Sequence, residues 1–214
     1  MTFPIPTPIF RLIHIENLQI CLRRGALHAP NCMPQNGFVI RTIHNVEIQQ
    51  VRRDTTIPCG PGGVIHDYVS FYLRPRSPML FRLHTGWNTE YDEGQEPLIY
   101  LVSTAQLIKE SGSAFVFSDG HGIALYTNWY DNLNELDKLD WETIYASTWK
   151  DTVNDMDRQR RKQAEFLVHH SCDWELIKKI AVINSKMRAR VSEIIANFPT
   201  AMRPLVVIKP EWYY

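Results

Sequence analysis

None of the short motifs that identify common nucleotide-binding enzymes and hydrolases occurs in these 214 residues. The chain has no Walker loop, no GxGxxG after a strand, no HExxH and no GxSxG. A glycine-rich phosphate site at residues 60–63 (GPGG) is one reading, although Pro61 removes one of the N–H donors that such a site needs. A hydrolase serine at Ser70 or Ser77 has no histidine at a recognisable spacing. Short motifs therefore assign no chemistry to this chain.

Cysteine is scarce and scattered, and long apolar runs are absent. The four cysteines form no CxxC and no paired Cys/His spacing. We therefore predict neither a zinc site nor a disulfide framework, but reduced thiols in a cytoplasmic protein. The first residues, MTFPIPTPIF, lack the charged start and apolar core of a signal peptide. No apolar run approaches the roughly 18 residues that span a bilayer, so no membrane partner is expected.

Net charge is also absent, because 23 basic side chains balance 23 acidic ones. The chain as a whole is therefore not attracted to nucleic acid or to membranes, and such binding must come from local patches. The candidate patches are Arg23–Arg24, Arg52–Arg53, Arg74 with Arg76, and residues 158–162 (RQRRK). A run of cations is most often a solvated face, so each patch by itself indicates little.

Strand-like and helix-like segments alternate irregularly, which predicts one mixed α+β domain over residues 1–214. Strands are predicted at residues 9–13, 66–73, 98–102, 114–117, 165–168, 180–183 and 205–208. Helices are predicted at residues 15–24, at 45–53 with Asn45 as cap and Val46 and Val51 on one side, at 103–110 with Ser103 as cap, after Asp173, and at 185–198. Residues 74–80 are read as a tight turn or a single helical turn, residues 86–97 as a loop, and residues 126–157 as short helices.

One carboxylate lies in an unusual context, in the segment RQRRKQAEFLV at residues 158–168. A basic, helix-like run passes into the apolar stretch Phe166–Val168, and Glu165 directly precedes that stretch. Because burying an unpaired carboxylate is costly, Glu165 needs a partner, a solvent-facing side or a catalytic task. The alternative to a functional role is that Glu165 takes the wet face of a half-buried strand. The residues alone leave both readings open.

Two further sites have a structural and a functional interpretation. His121 lies in the turn DGHG after a predicted strand, where binding residues are common, but it can equally be an ordinary turn histidine. Arg52 and Arg53 end a short helix, where cations suit the helix dipole, so a structural role explains them as well as a functional one does. Without a further comparison, the residues indicate a soluble α+β domain of unassigned activity.

Several segments together resemble one known family. PTPIFRLIHIENL, GGVIHDYVSFYLRPRSPML, FVFSDGHG, KQAEFLV and the terminal WYY are similar to segments of the DarT family. Members of this family are toxins of bacterial toxin–antitoxin pairs that ADP-ribosylate thymidine bases in single-stranded DNA. The segments follow the family's order over nearly the whole chain, and HDYVSFYLRPRSPM is the most specific of them.

The resemblance implies an ADP-ribosyltransferase fold, with two small packed β-sheets and a cleft that holds NAD as co-substrate without a metal. The family's catalytic glutamate corresponds to Glu165, which would stabilise the positive charge that develops on the ribose as nicotinamide leaves. The second essential residue corresponds to Arg52, which the family is held to use as proton acceptor. Because arginine stays protonated, we expect Arg52 to stabilise negative charge on thymine or on the NAD pyrophosphate instead. Arg53 is the adjacent alternative.

The resemblance also implies the residues that contact NAD. They come from the first strand and the following helix and correspond here to Arg11, Leu12, Ile13, Ile20 and His28, together with Arg52. Many relatives carry histidine where this chain has Arg11, and main-chain groups there are expected to hold the nicotinamide amide. Where the family usually has proline, this chain has Ser70, which we interpret as a detail of the strand.

The region from His121 to Glu165 corresponds to the family's substrate-recognition region. The residues expected to contact single-stranded DNA are His121, Tyr72, Arg74, Arg76, Trp149, Arg158, Arg160 and Arg161. A macrodomain-type antitoxin is the further partner that the resemblance implies. The open alternatives are the same chemistry on guanine or RNA, a plain NAD glycohydrolase, and an inactive nucleic-acid-binding module.

Overall fold

A computed structural model describes residues 3–86 and 91–214. Its strands are β1 (Pro8–His14), β2 (Ala26–His28), β3 (Tyr68–Tyr72), β4 (Leu98–Thr104), β5 (Phe115–Ser118), β6 (Trp129–Tyr130), β7 (Glu165–His169), β8 (Ser171–Asp173), β9 (Lys179–Val182) and β10 (Leu205–Ile208). Its α-helices are α1 (Glu16–Arg24), α2 (Val46–Asp54), α3 (Pro78–Thr85), α4 (Ala105–Glu110), α5 (Trp141–Tyr145), α6 (Arg158–Lys162) and α7 (Ser185–Ala196). The predicted α+β class is confirmed. Residues 87–90 of the predicted loop at 86–97 lie outside the described residues.

Eight strands form one sheet in the order β10-β9-β4-β1-β3-β7-β5-β6, and β2 pairs with β8 in a second, two-stranded sheet. Antiparallel pairing joins β1 to β4 over seven residues and β3 to β7 over five. In contrast, β1 and β3 pair at a single position, Phe10 opposite Tyr72. The expected two small packed sheets differ from this arrangement in one respect: the two four-stranded halves are joined into one large sheet, although only at one residue pair.

A side chain continues the connection between the two halves of the sheet. Nη1 of Arg11, on β1, donates a hydrogen bond of 2.8 Å to the main-chain oxygen of Ser70, on β3. The guanidinium thus reaches across to β3 where the ladder between the strands has ended, and it satisfies a carbonyl that would otherwise need another donor. This position lies beside the site described below.

The helix α2 has its predicted N-terminus and an unexpected buried face. The side chain of Asn45 accepts a hydrogen bond of 3.0 Å from the amide of Ile48, which caps the helix. Val46 and Val51, the apolar residues of its sequence pattern, are both about half exposed, and the buried residue of this helix is Arg52. The charged side chain of Arg52 therefore lies on the inner face of α2, because its partner, Glu165, lies inside the protein.

The segment after β3 is more regular than predicted. Instead of a turn or a single helical turn, the chain forms the two-turn helix α3. The hydroxyl of Ser77 accepts a hydrogen bond from the amide of Leu80, Pro78 occupies the first turn, where its missing N–H costs nothing, and Leu80 and Leu83 are buried. This helix borders the cleft.

Two predicted helix caps were wrong. Ser103 is still part of β4, and the hydroxyl of Thr104 caps α4 through the amide of Leu107 at 3.2 Å. Asp173 does not cap a helix either, because it pairs with Ala26 in the two-stranded sheet and only a 3-10 turn follows it. Within residues 3–86 and 91–214, none of the helices combines the length and the apolar character needed to cross a membrane.

Candidate active site

Glu165 is the first residue of β7 and lies in a cleft of about 460 Å³. Only 3% of the residue is exposed, so the alternative that Glu165 lies on the solvent-exposed face of a half-buried strand is wrong. The next three residues of β7 are also buried, because neighbouring strands flank β7 and core groups cover both of its faces. The carboxylate therefore needs charged or polar partners within the protein.

Arg52 supplies those partners. Its Nη1 and Nη2 donate parallel hydrogen bonds of 2.9 and 2.7 Å to Oε1 and Oε2 of Glu165. The amide of Gly122 donates a third bond, of 3.0 Å, to Oε1. Burial alone would raise the pKa of Glu165, but the charge and the hydrogen bonds of Arg52 hold the pKa below its usual value. The cleft thus contains an ionised pair in a fixed, two-pronged geometry.

Arg52 and not Arg53 faces the cleft, since Arg52 is 8% exposed and Arg53 projects into solvent. Ser70 also contacts Arg52: its hydroxyl accepts a hydrogen bond of 2.8 Å from Nη2. Because the main-chain oxygen of Ser70 binds Arg11, this one residue joins both arginines to β3. The interpretation of Ser70 as a mere strand detail was wrong. The alternation of side chains along a strand puts Ser70 on the same face as Tyr72, and this pattern could have predicted that Ser70 faces the cleft.

The DGHG turn is packed between the cleft and α6. A Cβ on Gly120 would collide with the guanidinium of Arg160, and a Cβ on Gly122 would lie 3.0 Å from Ile65 and 3.3 Å from Oε1 of Glu165. A side chain at Gly120 would displace the guanidinium of Arg160, and a side chain at Gly122 would be tightly packed against its neighbours. The turn places the half-buried ring of His121 in the cleft, while the amide of His121 bonds the carbonyl of Arg160 at 3.0 Å. Burial lowers the pKa of His121, against the opposing effect of Glu165.

The basic run at residues 158–162 is not the free cationic face that was predicted for DNA. Arg160 bonds both oxygens of Asp157, at 2.7 and 2.8 Å, and Asp119 at 2.6 Å. Arg161 pairs with Asp140 and with Asp155. These ion pairs neutralise the two arginines within the protein, because the acids of the preceding segment fold back onto them. Direct DNA contacts by Arg160 and Arg161 have no support from this placement.

The other two cations of the run differ from each other. Lys162 is buried, and its Nζ donates to the carbonyls of Ile144 and Ala146 at 2.7 and 2.8 Å, which anchors α6 to the end of α5. Arg158 is half-buried; it donates to the carbonyl of Thr148 at 2.9 Å and lies 4.0 Å from Asp155. Arg158 is the more accessible of the two, and its contact with DNA stays a prediction.

The residues expected to contact NAD fall into two groups. Arg11 and Leu12 line both the main cleft and an adjoining cavity of about 90 Å³, and Ile13 and His28 line that smaller cavity. Ile20 lines neither of these two spaces, because it lies on the outer part of α1. Four of the five first-strand and helix candidates therefore line these two adjoining spaces, and Arg52 lines the larger of them.

Most of the other predicted DNA contacts lie along β3 and the segment after it. Tyr72 lines the cleft, and Arg74 and Arg76 follow directly. The guanidinium of Arg74 lies 4.2 Å from the ring centre of Tyr145, and that of Arg76 lies 4.6 Å from the ring centre of Tyr214. Neither arginine has a carboxylate partner among the residues that the structure describes. Trp149 joins this surface through a hydrogen bond of 3.1 Å to the hydroxyl of Tyr214.

No group of three or more histidine, cysteine or acidic side chains could hold a metal ion in the described ranges. Glu165, Arg52 and their neighbours are the charged and polar groups that the cleft offers to a ligand. A buried, ionised carboxylate suits a reaction in which positive charge develops on a bound ligand, and the neighbouring arginines suit an anionic group of that ligand.

Comparison with known proteins identifies relatives along the full chain. A family model described as "ssDNA thymidine ADP-ribosyltransferase, DarT" matches residues 10–214. A DNA ADP-ribosyl transferase of Thermus sp. (strain 2.9) is 45% identical over 213 residues, which cover 100% of this chain and 99% of the relative.

Two solved structures are similar over the same length. Thermus sp. 2.9 DarT in complex with ADP-ribosylated ssDNA superposes with a TM-score of 0.93 at 44% identity, covering 100% of this chain and 99% of the other. The same organism's DarT in complex with NAD+ gives a TM-score of 0.89 at 43% identity and covers 100% of both chains. The chain therefore belongs to the DarT family of DNA ADP-ribosyltransferases and has their ADP-ribosyltransferase fold.

Proposed function

We propose that this chain transfers ADP-ribose from NAD to a thymidine base in single-stranded DNA and releases nicotinamide. The observation that carries the proposal is the buried, ionised Glu165, which Arg52 holds in a cleft of about 460 Å³. The relatives support the same assignment, since Thermus DarT structures contain NAD+ or ADP-ribosylated ssDNA. NAD is the co-substrate, and the described residues offer no metal cluster for the reaction.

Glu165 stabilises the ribose as the bond to nicotinamide breaks. A carboxylate can accept about four hydrogen bonds, and here Oε1 accepts two and Oε2 accepts one. The remaining position on Oε2 can accept a hydroxyl of the nicotinamide ribose. The negative charge then lies beside the oxocarbenium-like transition state, in a place from which water is largely excluded.

Arg52 acts by position and charge. Its guanidinium fixes both oxygens of Glu165 and is itself fixed by Ser70. Burial opposes the charge of Arg52, but Glu165 raises the pKa of Arg52, so the guanidinium stays protonated throughout the reaction. It keeps Glu165 ionised and offers positive charge to the phosphates of NAD or to the carbonyl oxygens of thymine.

The other predicted residues divide between the two substrates. The NAD-binding site is formed by Arg11 and Leu12, together with Ile13 and His28 in the adjoining cavity. The DNA strand passes over Arg74, Arg76 and Trp149 and presents one unstacked base to the cleft; the further contacts are Tyr72 and His121. Unpaired cations and exposed ring faces are the groups that bind single strands without regard to sequence.

In the cell, the activity is that of a toxin, because a bulky adduct on a template base blocks copying. A macrodomain-type antitoxin that removes the adduct is the partner expected from the family. Action on DNA places the protein in the cytoplasm, where its four unpaired cysteines would stay reduced.

A mass measurement tests the proposal directly. Purified protein is incubated with NAD and four oligonucleotides, each lacking one base type, and with an RNA of matching sequence. We expect one added ADP-ribose on every DNA that contains thymine and none on the DNA without it. An adduct that requires guanine, an adduct on RNA alone, or nicotinamide release with no adduct would each overturn the proposed target.

Two substitutions test the role of Glu165. Glu165→Gln keeps the shape of the side chain but removes the charge, and we expect transfer to fall by about 10²- to 10³-fold. Glu110→Gln is the matched control, because Glu110 is exposed at the end of α4. A Glu165→Gln variant with the rate of the control would contradict the catalytic role.

A further inference from the structure

Transfer to thymidine requires a proton acceptor, a requirement that rests on the proposed function. In thymidine, N1 of the base carries the deoxyribose, and N3 carries the base's ring N–H. When N3 bonds to C1′ of the NAD ribose, the bond between C1′ and nicotinamide breaks and nicotinamide leaves as a neutral molecule. The N3 proton must then go to a base in the cleft.

Most titratable groups of the cleft are poor acceptors. Arg52 is protonated, and its Nη1 and Nη2 already donate to Glu165 and Ser70. Burial raises the pKa of Tyr72 to about 12, so its hydroxyl already carries a proton. Burial, with the charges of nearby arginines, lowers the pKa of His44 to about 3, which makes it a very weak base.

Two other groups of the cleft are already engaged. Nε2 of His66 lies 3.1 Å from Oε1 of Gln49, and His66 is only 6% exposed. Glu165 accepts three hydrogen bonds and is required by the ribose. His66 therefore already has a partner, and the remaining acceptor position of Glu165 is assigned to the ribose.

His121 is placed differently. Its ring lines the cleft, is half-buried, and makes no hydrogen bond with any residue that the structure describes. Its backbone is fixed on both sides, since its own amide bonds the carbonyl of Arg160 and the next amide, of Gly122, bonds Glu165. The imidazole is thus held beside the carboxylate that acts on the ribose, with its nitrogens free.

We infer that the imidazole of His121 accepts the N3 proton of the target thymine while N3 bonds to the ribose. One ring nitrogen takes the proton, and the resulting imidazolium releases it to solvent through the open side of the cleft. The electron pair of the N3–H bond becomes available to the new N3–C1′ bond, and the pair of the broken bond leaves with nicotinamide. The step needs no further reactant.

The charges around His121 suit both halves of this cycle. Burial is the largest effect and lowers the pKa of His121; Glu165 favours the imidazolium, whereas Arg52 and Arg82 disfavour it. The ring is therefore neutral at pH 7 and ready to accept a proton, and it does not retain the proton after transfer. Glu165 remains a carboxylate because Arg52 holds it.

The test uses the full chain, with NAD and a thymine-containing oligonucleotide. We expect His121→Ala to lose about 10²- to 10⁴-fold in the rate of DNA modification, with NAD still raising its melting temperature as in the wild type. Added imidazole should restore part of the rate in proportion to its concentration. The matched control is His170→Asn, because His170 lies in an exposed turn at a positive φ that asparagine tolerates.

The pH profile provides the second readout. Because the pKa of His121 is lowered, the wild-type rate should fall only at a pH below the ordinary histidine value of about 6.5, and this acidic limb should be missing in His121→Ala. A His121→Ala variant with wild-type rate overturns the inference. So does a slow variant that imidazole does not rescue and that keeps the wild-type acidic limb. Absence of any thymine adduct with the wild type would instead reject the proposed function.

Discussion

Ser70 accepts a hydrogen bond of 2.8 Å from Nη2 of Arg52, and this bond connects the Arg52–Glu165 pair to β3. The same residue binds Arg11 through its main-chain oxygen. A single hydroxyl thus contributes to the orientation of a guanidinium whose other hydrogen bonds, among the described residues, go to the carboxylate of Glu165. Because hydrogen bonds to charged groups are worth more than neutral ones, removal of this hydroxyl should have a measurable effect.

For Ser70→Ala, we expect the free energy of unfolding to fall by about 1–3 kcal/mol, since the variant lacks one buried bond to a charged group. Urea denaturation measures this change. Ser192→Ala is the control, because Ser192 is exposed on α7, and its effect should stay within about 0.5 kcal/mol. Equal stability of Ser70→Ala and the wild type would show that the hydroxyl does not support Arg52.

Arg52→Lys should lower the rate of DNA modification by about 10²-fold or more. Lysine keeps the positive charge but cannot bond both oxygens of Glu165 and the hydroxyl of Ser70 at once. Arg53→Lys, at the adjacent exposed position, should retain the wild-type rate. Initial rates on a thymine-containing oligonucleotide distinguish the two; equal losses would mean that the geometry of Arg52 is not the essential feature.

Acidification should weaken the fold through Glu165. Its pKa is lower in the folded protein than in the unfolded chain, so the ionised pair stabilises the fold at a pH above the unfolded value of about 4.3. That contribution is lost as the pH falls through the lowered pKa. The free energy of unfolding, measured by denaturation between pH 7 and pH 3, should therefore fall more steeply with decreasing pH for the wild type than for Glu165→Gln. Glu110→Gln should follow the wild type, and parallel curves for all three would contradict the assignment.

Arg160→Gln should slow DNA modification without weakening the affinity for single-stranded DNA. Arg160 is paired with Asp119 and Asp157 and packs on Gly120, so its removal loosens the turn that carries His121. Arg188→Gln, on the exposed side of α7, is the control. Fluorescence anisotropy measures affinity, and initial rates measure modification. A loss of affinity that matches the loss of rate would restore Arg160 as a DNA contact.

Arg76→Asn, unlike Arg160→Gln, should weaken the affinity for single-stranded DNA. Arg76 has no carboxylate partner among the described residues, and asparagine tolerates its positive φ of 58°. We expect weaker binding to single strands of any sequence. The slope of log affinity against log salt should also become less negative by about 0.7, because the variant neutralises one phosphate fewer. An unchanged slope would remove Arg76 from the DNA surface.

Much of the local structure could be predicted from short-range patterns. The first helix ends at Gly25, which adopts the left-handed conformation expected of a C-terminal glycine, and Asn45 caps α2 as predicted. A predicted helix cap was wrong where two neighbouring residues are equally suited to cap the helix, as Ser103 and Thr104 are for α4. The choice between them depends on where β4 stops pairing with β1, which is a long-range contact.

The sequence by itself determined the family, the α+β class and the glutamate at the start of β7, because these depend on residue identity and on order along the chain. Only the tertiary structure decided which charges are free. It placed Arg52 against Glu165, 113 positions away, and paired Arg160 with Asp119, 41 positions away. Ion pairs between distant segments are set by how the chain packs, and no local pattern encodes them.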